Sequence, residues 1–258
     1  MPAWDPSQYL KFQRERTQPA IDLAARISLG SPKKVLDVGC GPGNSTAVLA
    51  ERFPGAEIIG IDNSPDMIQS ARKKMPAVRF ECVDAAGNLA SLGGGFDVVF
   101  SNACIQWIPD HRGLLPRLMG LLAPGGVLAV QTPMNYKEPI HIIIEEMIGS
   151  KKWKTHITNP RVFYNLLPGD YYDLLSGISG NVSLWETTYY HILQSHEDIM
   201  EWYRGTGLRP YLEALPEDLR PGFESDVFRR VAEAYPVQEN GSVIFRFPRF
   251  FFTAEKLP

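Results

Sequence analysis

The fold of this chain is decided by one stretch, Val35-Leu36-Asp37-Val38-Gly39-Cys40-Gly41-Pro42-Gly43-Asn44. An apolar run that carries one Asp leads into three glycines within five positions, and a helix-start pattern follows. A buried strand that ends in a glycine-rich turn brings bare backbone close to a ligand, because a Cβ atom there would collide with it. The amides of the next helix face the same point. The stretch therefore predicts a nucleotide-type cofactor site, and with it an enzyme.

The spacing of the glycines distinguishes two classes of cofactor. The dinucleotide fingerprint needs glycine at its sixth position, which here is Asn44, and the third glycine has moved forward to Gly43. Pro42 also removes one amide that a pyrophosphate would bind. S-adenosylmethionine carries no phosphate, and its ammonium suits the carboxylate of Asp37, directly or through water. We therefore expect S-adenosylmethionine, bound by Asp37, Gly39, Cys40, Gly41 and Asn44. A nicotinamide-dependent oxidoreductase is the alternative from a different class.

Acidic residues follow the next two predicted strands. Asp62 lies 19 residues after Gly43, an offset at which an acid accepts hydrogen bonds from ribose hydroxyls. Ser64 supplies a separate N-cap for the following helix, which leaves the Asp62 carboxylate for a ligand. Asp84 follows the third strand, where its carboxylate can hold an adenine amino group. The neighbours Asn63 and Ala85 belong to the same predicted site, and helix capping is the alternative role for both acids.

Strand and helix patterns alternate along the first half of the chain, as in the βαβ units of a parallel sheet. Strands are predicted at 34–38, 57–61, 78–83, 96–101 and 126–132, and helices at 19–27, 45–52, 65–74 and 111–122. Further strand candidates at 182–192 and 242–254 flank a helical stretch at 196–235. We expect one structural domain in two parts. Residues 1–132 form a leader and the cofactor-binding core, and residues 133–258 form lid insertions with the last two strands.

Five motifs occur in a characteristic order: Leu36-Asp37-Val38-Gly39-Cys40-Gly41-Pro42-Gly43, Asp62, Asp84, Asp97-Val98-Val99-Phe100-Ser101-Asn102 and Leu122-Ala123-Pro124-Gly125-Gly126. Over roughly residues 30–132 they resemble the class I S-adenosylmethionine-dependent methyltransferases. The resemblance implies a Rossmann-like α/β fold, with a mostly parallel seven-stranded sheet, helices on both faces, and a mainly helical lid from insertions around an antiparallel edge hairpin. It also implies main-chain contacts from Asn102 and Ala103 to the methionine part of the cofactor. Met67 and Trp107 are candidates for contact with the adenine or the sulfonium, and both are equally compatible with a place in the core.

Further motifs extend over nearly the whole chain: Trp4-Asp5-Pro6-Ser7-Gln8-Tyr9-Leu10, Gly41-Pro42-Gly43-Asn44-Ser45-Thr46, Gln106-Trp107-Ile108-Pro109-Asp110-His111, Thr187-Thr188-Tyr189-Tyr190-His191, Thr206-Gly207-Leu208-Arg209-Pro210 and Phe247-Pro248-Arg249-Phe250. They resemble those members of the family that methylate trans-aconitate. The resemblance implies methylation of one carboxylate of this acid, giving its monomethyl ester and S-adenosylhomocysteine. A methyltransferase of the same class with another small acceptor, and a non-catalytic cofactor-binding protein, stay open as alternatives.

A tricarboxylate needs several hydrogen-bond donors, because burying unpaired carboxylates is costly. Arginine suits this task through its bidentate fork. Arg209 and Arg249 each lie beside a proline in an otherwise apolar segment, and His191 follows paired tyrosines. The predicted substrate contacts are Tyr9, Tyr190, His191, Arg209 and Arg249, with Arg161, Arg204, Arg246 and His196 as further candidates and a solvated surface position as the alternative for each. Carboxylates titrate near ~4, so the nucleophile is ionised at neutral pH and no general base is predicted.

The bulk composition excludes several classes of protein. A formal charge of −3 offers no basic field for nucleic acid or anionic membrane. Three cysteines without a repeating spacing argue against a disulfide framework, and the five histidines lack metal-ligand spacing. No window approaches the ~20 apolar residues of a membrane span, and the first residues lack the apolar core of a secretory signal. We expect a cytoplasmic enzyme without a metal. No pattern decides the oligomeric state, and a monomer is the starting expectation.

Overall fold

The computed structural model describes residues 12–157 and 162–257. Its strands are β1 (Lys34–Val38), β2 (Glu57–Asp62), β3 (Arg79–Cys82), β4 (Phe96–Asn102), β5 (Leu122–Pro133), β6 (Asn181–Leu193) and β7 (Val243–Glu255). Its α-helices are α1 (Gln13–Ala25), α2 (Asn44–Arg52), α3 (Pro65–Lys74), α4 (His111–Leu121), α5 (Pro139–Gly149), α6 (Pro168–Ser176), α7 (His196–Arg204), α8 (Arg209–Ala214) and α9 (Arg220–Ala234). Short 3-10 helices lie at Ala90–Leu92 and Ile105–Trp107.

The strands form one seven-stranded sheet in the order β3-β2-β1-β4-β5-β7-β6. The first five strands pair in parallel, and β7 lies antiparallel between β5 and the edge strand β6. This confirms the predicted α/β class, including the antiparallel edge hairpin. β5 begins four residues before its predicted start, because Leu122 pairs with Phe96 ahead of a register shift in β4.

Helices cover both faces of the sheet, as its buried parallel strands require. Val35, Phe100 and Phe251 point to one face and pack in one apolar cluster with Leu23 and Ala24 of α1. Alternation along β1 places Asp37 on this side too, and we call it the Asp37 face. The opposite face packs against α4 and α6, whose buried residues include Leu114, Leu118, Tyr171 and Leu175.

A separate apolar cluster surrounds the far half of the β6–β7 hairpin. It contains residues from α5, α7, α8 and α9, together with Phe245 and Phe247 of β7. These elements follow β5, where lid insertions were predicted, and α6 packs on the sheet instead. The division of the chain after residue 132 stays a prediction.

The leader helix differs from its prediction. It was expected to begin at Pro19, yet α1 begins at Gln13 and carries Pro19 in its interior. An interior proline costs about 3 kcal/mol relative to alanine. Tertiary contacts of the first turns oppose this cost: the Phe12 ring packs 4.8 Å from the Trp202 ring of α7, and the Arg16 guanidinium lies 5.1 Å from the same ring. None of the helices described has the length and apolar character needed to cross a membrane.

A glycine inside β2 generates a stability prediction. A Cβ atom on Gly60 would lie 2.6 Å from a ring carbon of Phe80 and 3.1 Å from Cys40 Sγ, so Gly60→Ala must displace a packed ring. We expect it to lower the free energy of unfolding by about 1–3 kcal/mol. Gly120→Ala is the matched control, because a Cβ atom there meets nothing within 4 Å at the end of α4. Urea unfolding followed by circular dichroism measures both variants, and equal stability of the two would contradict the prediction.

Candidate cofactor and substrate site

The glycine loop follows β1 at the carboxyl edge of the sheet and turns through left-handed backbone. Gly39, Gly41 and Gly43 have φ angles of 75°, 53° and 87°. At Gly39 an added Cβ would also lie 2.2 Å from Cys104 Sγ. At Gly41 it would meet nothing within 4 Å, so the loop has open space on that side. The predicted strand–loop–helix unit is therefore present.

The amides of this loop are used by the protein itself. Gly39 and Cys40 donate to the carbonyl of Ile61 at 2.8 and 2.9 Å. Gly41 donates to Asp62 Oδ2 at 3.0 Å, and Gly43 donates to the Cys40 carbonyl. Pro42 has no amide hydrogen. A diphosphate needs such amides as donors, so the loop does not suit a dinucleotide.

Asp37 supplies an acceptor instead. Its side chain is completely buried, and its Oδ2 accepts hydrogen bonds from Ser45 Oγ at 2.7 Å and Thr46 Oγ1 at 2.6 Å. Its Oδ1 is buried and has no hydrogen-bond partner among the described residues. Burial raises the pKa of this carboxyl to about 6, against the lowering effect of the two hydroxyls. A cationic donor at Oδ1 would satisfy both the orphaned oxygen and the buried charge.

Two further acceptors end the neighbouring strands. Asn102 closes β4, and its buried Oδ1 also has no hydrogen-bond partner in the described chain. Asp62 closes β2 and accepts from the amides of Gly41 and Ser64, one on each carboxylate oxygen. Burial raises the pKa of Asp62, and these amides partly oppose the rise. Each oxygen keeps a second lone pair for a hydroxyl donor. An ammonium and ribose hydroxyls, the donors of S-adenosylmethionine, fit this set.

The other predicted cofactor residues lie at the same edge, because each follows a strand or begins the next helix. Met67 is half-buried in the first turn of α3, and Asn63 is exposed just before it. Asp84 is exposed and accepts from the Ala86 amide, a hydrogen bond within a turn and not at the start of a helix. Trp107 is 38% exposed, and its ring lies 4.8 Å from that of Phe163. Ala103 has a positive φ of 53° directly after β4.

Three of the predicted cofactor residues turn their side chains elsewhere. Cys40 packs in an apolar cluster with Ile68, Ala71 and Phe80. Ala85 is buried in the main core. The Asn44 side-chain oxygen accepts a hydrogen bond from Lys74 Nζ at 2.6 Å. The side chains of Cys40 and Ala85 are thus part of the core, and the role of all three residues at the cofactor stays a prediction.

A row of polar side chains continues along the Asp37 face from the cofactor edge into the hairpin. The register puts its members on one face: Asn102 pairs with Gln131, Gln131 pairs with Phe251, two residues from Arg249, and Arg249 pairs with Thr187, four residues from His191. We call Asn102, Gln131, Arg249 and His191 the polar row. Arg249 is 5% exposed; its Nη1 donates to Gln131 Oε1 at 3.4 Å, and its Cζ lies 4.4 Å from the Phe247 ring centroid. Gln131 Nε2 and His191 Nε2 are buried without a hydrogen-bond partner in the described residues. Each such group costs about 1–3 kcal/mol while it stays unpaired, so a polar ligand or a bound water would be stabilised here.

His191 lies between two aromatic rings, with ring centroids 4.9 Å from Trp202 and 6.3 Å from Tyr189. Burial, assisted by the charge of Arg249, lowers its pKa to about 4. The imidazole is therefore neutral at neutral pH and can donate or accept one hydrogen bond at Nε2. The Tyr189 hydroxyl donates to Asp22 Oδ2 of α1, which fastens the leader helix beside this row.

The predicted substrate residues divide into three groups. Arg249 and His191 are brought together in the polar row. Tyr190 is 62% exposed, because alternation along β6 points it away from the face that carries His191, and this corrects its predicted role. Arg209 lies on α8, outside the row, in an i,i+4 ion pair with Glu213. Tyr9 and Arg161 lie outside the described residues.

The further candidates are engaged elsewhere. Arg204 pairs with Glu197 and Glu224. Arg246 pairs with Glu138, and the His196 ring bonds to the carbonyl of Tyr235 at 2.6 Å.

Sequence reasoning missed several polar residues at this site. Gln131 ends the apolar run of β5, and that position, polar after a buried strand, was a signal that could have been used. Asn135 and His141 follow in the connection to α5 and in α5 itself, and both contact the Tyr203 hydroxyl. Tyr203 lies in an amphipathic helix and had no distinguishing sequence signal. Among the described residues, no group of three or more acidic, His or Cys side chains could hold a metal.

Comparison with known proteins identifies relatives along the whole chain. This protein is 45% identical over 255 residues to a trans-aconitate 2-methyltransferase of Variovorax paradoxus, and the match covers 98% of both chains. It is also 45% identical over 260 residues to a trans-aconitate 2-methyltransferase of Methylobacterium radiotolerans, covering 99% of both chains. The chain belongs to the trans-aconitate 2-methyltransferase family. Residues 35–126 match the family model described as a methyltransferase domain, and the protein is an S-adenosylmethionine-dependent methyltransferase.

Solved structures share the fold. The YcgJ protein of Bacillus subtilis matches with a TM-score of 0.59 at 14% identity, covering 93% of this chain and 99% of that one. A phosphoethanolamine N-methyltransferase of Haemonchus contortus, solved with S-adenosylhomocysteine, matches with a TM-score of 0.55 at 17% identity, covering 93% of this chain and 53% of that one. At these identities the likeness establishes the Rossmann-like architecture alone.

The buried carboxylate of Asp37 generates a pH prediction. Its pKa near 6 means that protonation below pH 6 removes the charge that an ammonium would pair with. Affinity for S-adenosylhomocysteine should therefore rise by up to tenfold per pH unit between pH 5 and 6 and level off above about pH 7. The stability of the ligand-free protein depends on pH in the opposite direction. Because burial raises the pKa of Asp37, the free energy of unfolding falls as the pH rises through 6.

Asp37→Asn should weaken cofactor binding at pH 7.5 by about tenfold or more and remove the part of the pH dependence centred near pH 6. Asp66→Asn is the matched control, since Asp66 is an exposed acid in the first turn of α3. Isothermal titration calorimetry measures both. An Asp37→Asn protein with unchanged affinity and pH profile would contradict the assignment.

Proposed function

We propose that this protein transfers the methyl group of S-adenosylmethionine to a carboxylate oxygen of trans-aconitate, giving the monomethyl ester and S-adenosylhomocysteine. The names of its full-length relatives support this substrate. The structural observation that carries the proposal is the buried guanidinium of Arg249, which shares one sheet face with Asp37. Arg249 suits a carboxylate through its bidentate fork. Gln131 and His191 add buried polar groups that a bound acid can satisfy.

The proposed cofactor contacts follow from the acceptors at the strand ends. Asp37 and Asn102 hold the ammonium, and Asp62 accepts from the ribose hydroxyls. Gly39, Gly41 and Ala103 contribute backbone, and Asp84, Asn63, Met67 and Trp107 line the adenine side. The bound cofactor supplies an electrophilic methyl group on a sulfonium.

The residues of the site act by positioning the acid and by excluding water, and none of them has to remove a proton. The attacking carboxylate is already ionised, because such groups titrate near ~4. His191 is neutral, with a pKa lowered to about 4 by burial and by Arg249. Burial raises the pKa values of Tyr189 and Tyr203 well above their ordinary range, so both hydroxyls stay protonated and serve as hydrogen-bonding groups. Alignment of two reactants can supply about 7–11 kcal/mol of the barrier reduction.

Exclusion of water is the second contribution of the site. Trp202, Phe245 and Phe247 surround His191 with ring centroids 4.9–6.1 Å away. These rings limit hydration of the acid beside Arg249, and a less hydrated carboxylate is a stronger nucleophile. The apolar cluster around the far half of the β6–β7 hairpin thereby contributes to the proposed reaction.

The setting of the reaction is part of the proposal. We infer a small tricarboxylate as the partner, a cytoplasmic location, a monomer, and a division between cofactor core and lid after residue 132. The net charge of −3 and the sparse, scattered cysteines support an enzyme that acts on a small molecule in a reducing compartment.

The direct test incubates the protein with S-adenosylmethionine and, separately, trans-aconitate, cis-aconitate and citrate. Mass spectrometry should detect the gain of one methyl group on trans-aconitate, together with S-adenosylhomocysteine. If the protein binds S-adenosylhomocysteine but esterifies none of the three acids, the proposed substrate is wrong.

Arg249 generates a kinetic prediction. Arg249→Lys keeps a charge but loses the bidentate fork, so the KM for trans-aconitate should rise about tenfold or more, with kcat changed less than about threefold. Arg246→Lys is the matched control, because Arg246 lies on the same strand, points to the opposite face and pairs with Glu138. Steady-state kinetics distinguish the two variants. A loss of kcat at unchanged KM in Arg249→Lys would count against a substrate-binding role.

A further inference from the structure

The side-chain amide of Gln131 lies between the two charged ends of the Asp37 face. Gln131 is completely buried near the end of β5, and its Oε1 accepts a hydrogen bond from Arg249 Nη1 at 3.4 Å. A guanidinium only donates hydrogen bonds, so the end of the amide that faces it must be the oxygen. This contact therefore fixes which way round the amide lies, and Nε2 is the end left for another partner.

Gln131 Nε2 carries two hydrogens that need an acceptor. The atom is buried, and within the described part of the chain it has no hydrogen-bond partner. Because an amide nitrogen only donates, a ligand that satisfies it must present an acceptor. A carboxylate oxygen is a strong acceptor, since its charge strengthens the hydrogen bond.

The unpaired groups of this face change from acceptors to a donor between β4 and β5. Asp37 Oδ1 and Asn102 Oδ1 are buried acceptors without a partner among the described residues, whereas Gln131 Nε2 is a donor. Asn102 and Gln131 are register partners on neighbouring strands, which lie about 4.8 Å apart. The acceptors suit the ammonium of the cofactor, and the donor suits a carboxylate of the acid. The boundary between cofactor and acid therefore falls beside Gln131.

We propose that Gln131 Nε2 binds the carboxylate that is methylated, and that Arg249 binds a different carboxylate of the same acid. This inference rests on the proposed function. The amide donates to one oxygen of the reacting carboxylate and leaves the other oxygen for the methyl group. That oxygen forms a bond to the methyl carbon as the carbon–sulfur bond breaks, the electron pair of the broken bond stays on sulfur, and no proton moves.

The charges of the two donors decide which carboxylate reacts. Methyl transfer removes the negative charge of the attacking carboxylate, so a group that stabilises this charge strongly raises the barrier. The guanidinium of Arg249 is such a group, because it makes a charge-assisted, bidentate pair. The neutral amide of Gln131 stabilises the charge less and still orients the carboxylate. Arg249 therefore anchors the acid, and Gln131 aligns the oxygen that reacts.

The kinetic test uses Gln131→Met in the full chain, because this variant keeps the length of the side chain and loses the donor. The kcat for trans-aconitate should fall about tenfold or more, since the reacting carboxylate is no longer aligned. The KM should change less than about threefold, because Arg249 still binds the acid and keeps its contact with the Phe247 ring. This division is the reverse of the one expected for Arg249→Lys. The affinity for S-adenosylhomocysteine should stay unchanged.

Thr132→Val is the matched control. Thr132 is the next residue of β5 and is equally buried, and alternation along the strand points it to the opposite face. Its hydroxyl donates to Asn165 Oδ1 at 2.9 Å, so its polar group is satisfied by the protein itself. Thr132→Val should keep kcat and KM within about twofold of the wild type.

A second measurement detects the contact without turnover. In the wild-type protein loaded with S-adenosylhomocysteine, trans-aconitate should move the side-chain amide proton signal of Gln131 downfield in a nitrogen–proton correlation spectrum, because the amide gains a charged acceptor. The signal is assigned by its absence from the spectrum of Gln131→Glu, which has the same shape and no amide.

Four results would each overturn the assignment of Gln131. They are an unchanged kcat in Gln131→Met, a rise in KM without a loss of kcat, an equal loss of kcat in Thr132→Val, and an amide signal that does not respond to trans-aconitate. Wild-type protein whose Gln131 signal responds to trans-aconitate but which does not methylate it would refute the proposed function alone. Wild-type protein that methylates the acid no faster than Gln131→Met would refute the role of Gln131 alone.

Discussion

A buried carboxylate at the end of β1 is the constraint on which the cofactor half of this protein depends. Asp37 is completely buried, with one oxygen held by Ser45 and Thr46 and the other left without a partner in the described chain. An ionised group in such a place is costly unless a cation joins it. The glycine loop beside it donates its amides to the protein, so the edge offers acceptors where a dinucleotide site would offer donors. A cofactor with a positive charge and hydroxyl donors satisfies these conditions together.

The Asp37 face separates opposite charges along one surface of the sheet. Carboxylates lie at the ends of β1 and β2, and the guanidinium of Arg249 lies two strands beyond β4 on β7. In the proposed reaction a cationic cofactor and an anionic acid would each be attracted to its own end of this surface, and methyl transfer would neutralise both charges. In that reaction the aromatic rings around His191 would limit the water that otherwise stabilises the separated ions.

Local sequence patterns predicted much of this arrangement, since their causes are local. The glycine loop, the acid after β2 and the Ser64 cap depend on neighbours within a few residues, and all were found where expected. Tyr190 and His191 show where that reasoning stopped. They are adjacent in sequence, yet one is 62% exposed and the other 7%. Which of the two faces the site depends on the register between β6 and β7, and a shift of one residue would exchange them. The same limit applies to Cys40, whose main chain belongs to the loop while its side chain packs in the core.

The sequence by itself determined the order of strands and helices, the glycine-rich turn and the acids that follow the strands, because periodicity and turn chemistry act over short distances along the chain. Only the tertiary structure decided which polar groups share a site. Gln131 and Arg249 are separated by 118 positions and meet because β7 inserts between β5 and β6. Tyr203 of α7 reaches Asn135 and His141 because α5 and α7 pack together on the far half of the hairpin. Such meetings follow from strand pairing and core packing, which no short segment specifies alone.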